Sequence, residues 1–343
     1  MSASPVGVAV VGAGGWGKNH VRSLASLPEA ELRWVCDRDG GARDEIARVA
    51  PSLRTTGALD DVFADEAVRA VVVATDAPSH AEIATKALEG GLDVLVEKPL
   101  ALTSAEAERL CALADDGGRV LMTGHLLLYH PAVEALRALV GSGELGDVLY
   151  MTSQRTNLGV VRSDENAWWS LAPHDLSVAG YVLGTEPSAV SASGACFLQT
   201  DKGIEDVVFA TVDYPEGRLA HVHVSWLDPH KSRRLTVVGS RKMAVFDDTS
   251  ADQKLAVFDK GVEAPPAAVG YADGVRVRTG DIVIPALRMA EPLRREHEAF
   301  VRAVRTRERP RADGRSGLAV VRALEAGSRS LDEGGRRVVI GSS

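Results

Sequence analysis

The sequence predicts an α/β fold of two domains: a doubly wound parallel sheet over residues 1–125, then an α/β domain over 126–343 built on a mostly antiparallel sheet. Three observations predict it. Short apolar runs alternate with helical periodicity through the first third, the first of those runs ends in a glycine cluster, and beyond about residue 125 longer alternating stretches take over. A length of 343 residues fits two domains.

Residues 6–11 read as a buried strand, 16–27 as a helix, and 31–36 as a second strand ending at Asp37. Residues 70–74 are a β-branched run. Residues 79–89 carry Ile83, Ala84, Ala87 and Leu88 at helical spacing, with Ser79 as N-cap. Residues 93–97 form a further buried-type strand, 104–116 a helix with Ala107, Leu110 and Ala114 on one face, and 120–123 the last strand of the series. Beyond it, residues 131–142 predict a connecting helix. Residues 148–155, 187–195, 206–214, 218–226 and 233–239 predict strands. The 218–226 strand places Ala220, Val222, Val224 and Trp226 on one face and Leu219, His221, His223 and Ser225 on the other. The turn Tyr214-Pro215-Glu216-Gly217 predicts a hairpin. Residues 172–184, 291–306 and 315–331 read as helices, and the Gly-, Pro- and Ala-rich stretch 259–279 as a surface loop.

Composition narrows the function classes. A formal net charge of -8 argues against a nucleic-acid binder, whose affinity rests on basic surface. No apolar run is long enough to span a bilayer, and residues 1–5 have neither a basic region nor a signal core. Cys36, Cys111 and Cys196 are widely spaced and odd in number, which points away from a disulfide framework and toward a reducing cytoplasm.

The glycine cluster is Gly12-Ala13-Gly14-Gly15-Trp16-Gly17, preceded by a strand and followed by a helix. This is the Rossmann dinucleotide pattern: Gly12 for the tight turn, Gly14 for backbone approach to a pyrophosphate, Gly17 for close helix–strand packing. The helix N-terminus offers N–H groups to phosphate. Asp37, at the end of the second strand, accepts from ribose hydroxyls and repels a 2′-phosphate, favouring NAD over NADP. Arg38 beside it either receives such a phosphate or stacks on adenine.

A second motif, Glu97-Lys98-Pro99, ends the strand at 93–97, and Thr75-Asp76-Ala77-Pro78-Ser79-His80 follows the strand before it. Further along come Gly124-His125, Tyr129-His130-Pro131, Arg155-Thr156-Asn157-Leu158-Gly159, and Trp169-Ser170-Leu171-Ala172-Pro173-His174-Asp175. Glu291-Pro292-Leu293, Phe300, Arg309-Pro310 and Asp313-Gly314 complete the series. Together these resemble the Gfo/Idh/MocA oxidoreductases over nearly the whole chain. The Ala-Pro-His-Asp form resembles the branch that oxidises nucleotide sugars, such as UDP-N-acetylglucosaminuronate 3-dehydrogenases. The resemblance implies a second domain with a large open sheet that mediates dimers or tetramers. It also implies Thr75, His80 and Glu97 near the cofactor, a sugar or nucleotide-sugar substrate, and no metal.

Two residues carry the implied chemistry. Lys98, at the C-terminal end of a parallel strand, hydrogen-bonds the reacting hydroxyl or acts as base. His174 is the acid/base, with an ordinary titration range suited to neutral pH. The family places an Asp four residues before this His; here the position is Ser170, which puts the His–Asp pair in doubt and shifts weight to Lys98. Asp175 points elsewhere on a helix. Arg155, Asn157 and Arg162 suit a uronate carboxylate or diphosphate, or form a solvated basic loop. Trp168 and Trp169 cover a sugar face or fill the core, and Tyr129 contacts substrate or packs. His221, His223 and His230 lack a completing Cys or carboxylate for zinc. The expected reaction is hydride transfer at a secondary hydroxyl, C3 for choice. The alternatives are the reverse reduction of a 3-keto sugar, an inositol or polyol dehydrogenase, and a non-catalytic dinucleotide-sensing regulator.

Overall fold

Three valine-rich runs dictate the first sheet: all six residues of Val6–Val11, all four of Ala70–Val73 and all five of Asp93–Glu97 are buried, as parallel strands covered on both faces require. The structure, a computed structural model, describes residues 4–159, 161–263 and 276–341. Its elements begin β1 (Val6–Val11), α1 (Gly17–Ala25), β2 (Ala30–Cys36), α2 (Gly40–Val49), β3 (Arg54–Thr56), α3 (Leu59–Phe63), β4 (Ala70–Val73), α4 (His80–Glu89), β5 (Asp93–Glu97), α5 (Ser104–Asp116) and β6 (Leu121–Gly124). The six strands are all parallel, in the order β3-β2-β1-β4-β5-β6. The direction of winding reverses between β1 and β4, the place where open α/β sheets bind ligands.

The chain continues through α6 (Pro131–Gly141), β7 (Val148–Thr156), α7 (Ala167–Leu183), β8 (Ala189–Ala195), β9 (Val207–Asp213), β10 (Leu219–Ser225), β11 (Ser232–Gly239), β12 (Met243–Asp247), β13 (Leu255–Phe258), β14 (Gly261–Glu263), β15 (Arg276–Arg278) and β16 (Ile282–Val283). It closes with α8 (Pro292–Thr306), α9 (Gly314–Asp332) and β17 (Val338–Val339). Nine strands form one sheet in the order β16-β13-β12-β11-β7-β10-β9-β8-β17. Only the β7–β10 pair is parallel. The apolar face of β10 is buried, with Ala220, Val222 and Val224 at 3% exposure or less, and it packs on α7. The β9–β10 hairpin turns where the Pro-Glu-Gly sequence lies, with Glu216 and Gly217 at positive φ.

The chain divides into two compact units, Met1–Tyr129 with Ala290–Arg322, and His130–Met289 with Ala323–Ser343. α8 therefore belongs to the parallel-sheet unit. It starts on a proline, whose missing N–H costs nothing in a first turn. It buries Leu293, Phe300 and Val304, at roughly 1.5–3 kcal/mol for each large apolar side chain.

Several elements differ from the sequence expectation. β3 and α3 are short, and α2 buries only Ile46, so none of the three shows a clear pattern in the sequence. α7 starts at Ala167, five residues before the expected start, because Asn166 caps it through Trp169 N. Ser79 precedes α4 but does not cap it; its hydroxyl donates to Asp76 O at 2.8 Å and lies 2.7 Å from Thr75 Oγ1. Of the expected loop 259–279, residues 264–275 lie outside the described residues, and β14 and β15 at its ends pair antiparallel.

Candidate active site

In the parallel-sheet unit the sequence-predicted residues gather at the carboxyl ends of β1, β2, β4 and β5. Gly12 has φ +99, and a Cβ there would lie 2.5 Å from the Ala74 carbonyl group. At Gly17 a Cβ would sit 2.0 Å from Gly12 O, so both positions exclude any larger residue. Gly14 and Gly15 differ: a Cβ at either meets nothing within 4 Å. The glycines at the turn's ends are demanded by the chain's own packing. Those at its crest leave a backbone cradle open, before a helix whose N-cap residue, Trp16, makes no side-chain cap bond. This cradle fits a dinucleotide pyrophosphate.

Asp37 is held in two directions, accepting from Ala13 N at 2.6 Å and from Asp39 N at 2.9 Å. Its carboxylate therefore stands against the turn, just past the end of β2. Arg38 is exposed, and Arg43 donates to Asp37 O at 2.6 Å and Arg38 O at 3.1 Å. His80 is buried between two carbonyls, 2.8 Å from Pro99 O and 3.0 Å from Thr75 O, and so ties the β4 end to the segment after β5.

Glu97 is the hub of the unit. Its Oε1 accepts from Trp16 Nε1 at 2.7 Å and His20 Nε2 at 2.9 Å, and its Oε2 accepts from Lys98 N at 3.0 Å. Burial pushes a carboxyl up, but these bonds and the Lys98 charge outweigh it and hold Glu97 below its ordinary range. The half-buried Lys98 thus sits on a fixed carboxylate, and the Lys98–Pro99 peptide is cis.

Sequence reasoning missed several buried polar groups in this unit. His20 and His297 contact each other at 2.9 Å, and His297 Nδ1 lies 2.8 Å from Ser23 Oγ. Burial drives His297 well below the ordinary histidine range, and pushes His125 down to about 4. Glu296 is driven well above the carboxylate range by burial and by the charge of Glu97. The available signal was polar residues at core spacing: Glu296 and His297 lie between Leu293 and Phe300 on the buried stripe of α8. Tyr129 is a core residue, 2% exposed. Its hydroxyl faces Met122 Sδ at 3.9 Å, and the Arg311 guanidinium lies 4.9 Å from its ring centroid.

In the second unit, α7 carries His174, half-buried, with Ser170 one turn earlier. Asp175 points onto β7. It takes Arg155 Nε at 2.9 Å and Nη2 at 3.2 Å, and Ser153 Oγ at 2.6 Å. The expectation that Arg155 offers its fork to an anionic substrate is thereby corrected: the fork is spent on Asp175, and the side chain is buried. Arg162 lies on the exposed loop, 3.0 Å from Glu165, and Asn157 anchors the same loop through its N–H to Ser225 O. Trp168 is fully buried and donates to Leu324 O, and the half-buried Trp169 donates to Ser328 Oγ at 2.8 Å, so both indoles fasten α7 to α9. His223 stacks on Phe209 at 4.3 Å. Among the described residues no group of three or more His, Cys, Asp or Glu is placed to hold a metal, and no helix is long and apolar enough to cross a membrane.

Comparison with known proteins adds to this geometry. A family model described as an oxidoreductase family with an NAD-binding Rossmann fold matches residues 6–125, and one described as a GFO/IDH/MocA C-terminal domain matches residues 133–245. The chain is similar to a UDP-N-acetylglucosamine 3-dehydrogenase of Acidithiobacillus ferrooxidans, 28% identical over 77% of this chain and 80% of that protein. It is 25% identical to a scyllo-inositol 2-dehydrogenase (NAD(+)) of Bacillus subtilis, over 73% of this chain and 76% of that one. Among solved structures it is similar to GenD2 from gentamicin A biosynthesis in complex with NAD, at 28% identity and a TM-score of 0.82, covering 100% of this chain and 98% of that chain.

Proposed function

The chain belongs to the Gfo/Idh/MocA oxidoreductase family, and from that premise we propose that it is an NAD-dependent dehydrogenase acting on a secondary hydroxyl, C3 for choice, of a sugar or nucleotide sugar. The observation that carries the reading is the glycine turn: packed tight at Gly12 and Gly17, open at Gly14 and Gly15, with the Asp37 carboxylate beside it and Glu97, at the end of β5, bonded to its Trp16. When bound, nicotinamide supplies the site that accepts or donates hydride. Gly14 and Gly15 give backbone approach to the pyrophosphate. Asp37 accepts from ribose hydroxyls and disfavours the 2′-phosphate of NADP.

Lys98 donates to the reacting oxygen and stabilises its alkoxide character; Glu97 fixes the backbone from which the ammonium extends. His174 exchanges the hydroxyl proton with solvent. With Ser170 one turn away in place of a carboxylate, the larger share of proton handling falls to Lys98. The direction of the reaction is set by substrate supply, so reduction of a 3-keto sugar is the same proposal run backward.

Two substrate carriers stand out. The Ala-Pro-His-Asp form and the UDP-N-acetylglucosamine 3-dehydrogenase relative support a nucleotide sugar. The engagement of Arg155 by Asp175 leaves only the exposed Arg162 of the two predicted arginines to meet a diphosphate, which favours a sugar carried on a glycoside, in keeping with the gentamicin-pathway neighbour. The test is to follow reduced-cofactor absorbance with NAD or NADP against UDP- and TDP-sugars, aminoglycoside-type glycosides and free inositols. Turnover confined to inositols removes the sugar reading. Dinucleotide binding with no turnover on any of them, together with capture of a protein partner, establishes the regulator instead.

We further propose a homodimer or homotetramer through the open face of the nine-stranded sheet, where Tyr150, Phe209 and Leu219 are more than 40% exposed. Light scattering of Phe209→Arg, which places a charge in that face, gives a smaller species if this holds. A cytoplasmic setting fits the three free cysteines.

A further inference from the structure

We infer that a buried hydrogen-bonded relay, Ser23–His297–His20–Glu97, positions the glycine-rich turn and the Lys98 segment for the dinucleotide, which makes His20 and His297 positioning residues for a site to which neither contributes a contact. The inference rests on the cofactor reading above and extends it to residues that the motif does not contain.

The four groups form one continuous chain. Ser23 Oγ to His297 Nδ1 is 2.8 Å, His297 Nε2 to His20 Nδ1 is 2.9 Å, and His20 Nε2 to Glu97 Oε1 is 2.9 Å. His20 and His297 are 0% exposed, Ser23 1% and Glu97 7%. Hydrogen-bond polarity then runs one way. The Glu97 carboxylate only accepts, so His20 donates through Nε2 and accepts at Nδ1. His297 donates through Nε2 to that atom and accepts at Nδ1 from the Ser23 hydroxyl. Every donor has an acceptor in a single orientation, and burial keeps His297 in the neutral form this requires.

Glu97 distributes that order to both halves of the cofactor site. On Oε1 it also holds Trp16, the residue between Gly15 and Gly17, and on Oε2 it holds the amide of Lys98. Trp16 itself is 45% exposed, so this bond supplies restraint that packing does not. The relay starts and returns on α1 but passes through His297 on α8, 277 positions from His20 in the sequence, and α8 packs on α1 within the same unit. Stability alone does not call for these side chains. Apolar residues of similar volume fill such space at equal or lower free energy, whereas a fully satisfied polar chain fixes one geometry.

The test reads the turn directly, without cofactor. The indole N–H resonance of Trp16, assigned by its loss in Trp16→Phe, reports the bond to Glu97. His297→Leu should shift that resonance and speed its solvent exchange roughly fivefold to tenfold, and should weaken NAD binding by calorimetry about tenfold. His297→Gln should restore both, because its amide accepts from Ser23 and donates to His20. Val301→Ala, a buried apolar cut on the same helix, should lower Tm yet leave the resonance in place. An unmoved Trp16 resonance in folded His297→Leu overturns the relay, as does a shift that Val301→Ala reproduces. Should His297→Leu not fold, Ser23→Ala removes only the terminal donor, and the resonance must then move in the same direction by a smaller amount. If the wild type takes up no dinucleotide while the resonance still responds, the cofactor reading fails and the relay survives as a clamp between the turn and Lys98.

Discussion

Arg155 and Asp175 form a two-pronged ion pair, Nε at 2.9 Å and Nη2 at 3.2 Å from the carboxylate, with both side chains buried on β7 and α7. The pair pins α7, the helix that also carries His174, onto β7. Removing one partner leaves a buried charge uncompensated, so Asp175→Ala should cost about 3–5 kcal/mol in urea unfolding. The double change Arg155→Met with Asp175→Leu should come within about 1 kcal/mol of wild type. If the single change costs under about 1 kcal/mol, the pair does not organise this helix.

Gly12→Ala and Gly14→Ala separate folding from binding. A Cβ at position 12 meets the Ala74 carbonyl at 2.5 Å on a residue with φ +99, so this variant should lose several degrees of Tm or fail to accumulate. A Cβ at position 14 meets nothing, so Gly14→Ala should keep the wild-type Tm while weakening NAD at least tenfold. Equal NAD affinity in Gly14→Ala, by calorimetry, would place the pyrophosphate elsewhere.

Lys98→Ala should lower kcat by about 10²–10⁴ while leaving the Kd for NAD within a few-fold of wild type. On the proposed reading its ammonium acts on the substrate oxygen, whereas the glycine-turn backbone and Asp37 hold the cofactor. Single-turnover kinetics and calorimetry on the same preparation distinguish the two effects.

Asp37→Ser should raise the preference for NADP over NAD by about tenfold or more, by removing a carboxylate that repels the 2′-phosphate next to Arg38. NAD binding itself should weaken, since the Ala13 N–H loses its acceptor. Steady-state kcat/KM with each cofactor measures both. An unchanged ratio would mean that Asp37 serves the turn and not the ribose.

Stability should peak near pH 6.5. His125, pushed down to about 4 by burial, and His297, also lowered, stay neutral in the folded chain while their unfolded counterparts take up protons below about 6.5. Unfolding then binds protons, and stability falls as pH drops from there toward 4. Glu296, raised by burial and by Glu97, remains protonated when folded and ionises on unfolding above about 4.5. Its contribution falls with rising pH, up to ~1.4 kcal/mol per pH unit. Between 4.5 and 6.5 the two histidines outweigh the one glutamate; from 6.5 to about 8 the glutamate sets the fall, and above that the Cys36 and Cys111 thiols, pushed up to about 11 by burial, steepen it. Glu296→Gln should therefore flatten the alkaline limb of Tm against pH and leave the acid limb in place. A parallel offset across the whole range would contradict this assignment.

The sequence by itself determined the parallel-sheet architecture, because strands covered on both faces need apolar interiors, and Val6–Val11, Ala70–Val73 and the Val94-Leu95-Val96 centre of Asp93–Glu97 supply them between helical patterns. It also determined the glycine turn, where Gly12 and Gly17 follow from close backbone packing, and it marked Asp37 and Lys98 as candidates by their strand-end positions. The second sheet was legible in β7 to β11, most clearly in β9 and β10, where buried and outward residues alternate, and not in β12, β13 and β17, which are short. What only the tertiary structure decided were the partners of polar groups. Arg155 reads in sequence as a fork for an anion until α7 brings Asp175 against it. Trp168 and Trp169 read equally as sugar platforms until α9 offers Leu324 O and Ser328 Oγ. His20, Glu97 and His297 meet only because α8 returns to the first unit, and no local spacing encodes a contact across 277 residues. Hydrophobic periodicity is a property of neighbours along the chain, whereas hydrogen-bond pairing is a property of neighbours in space.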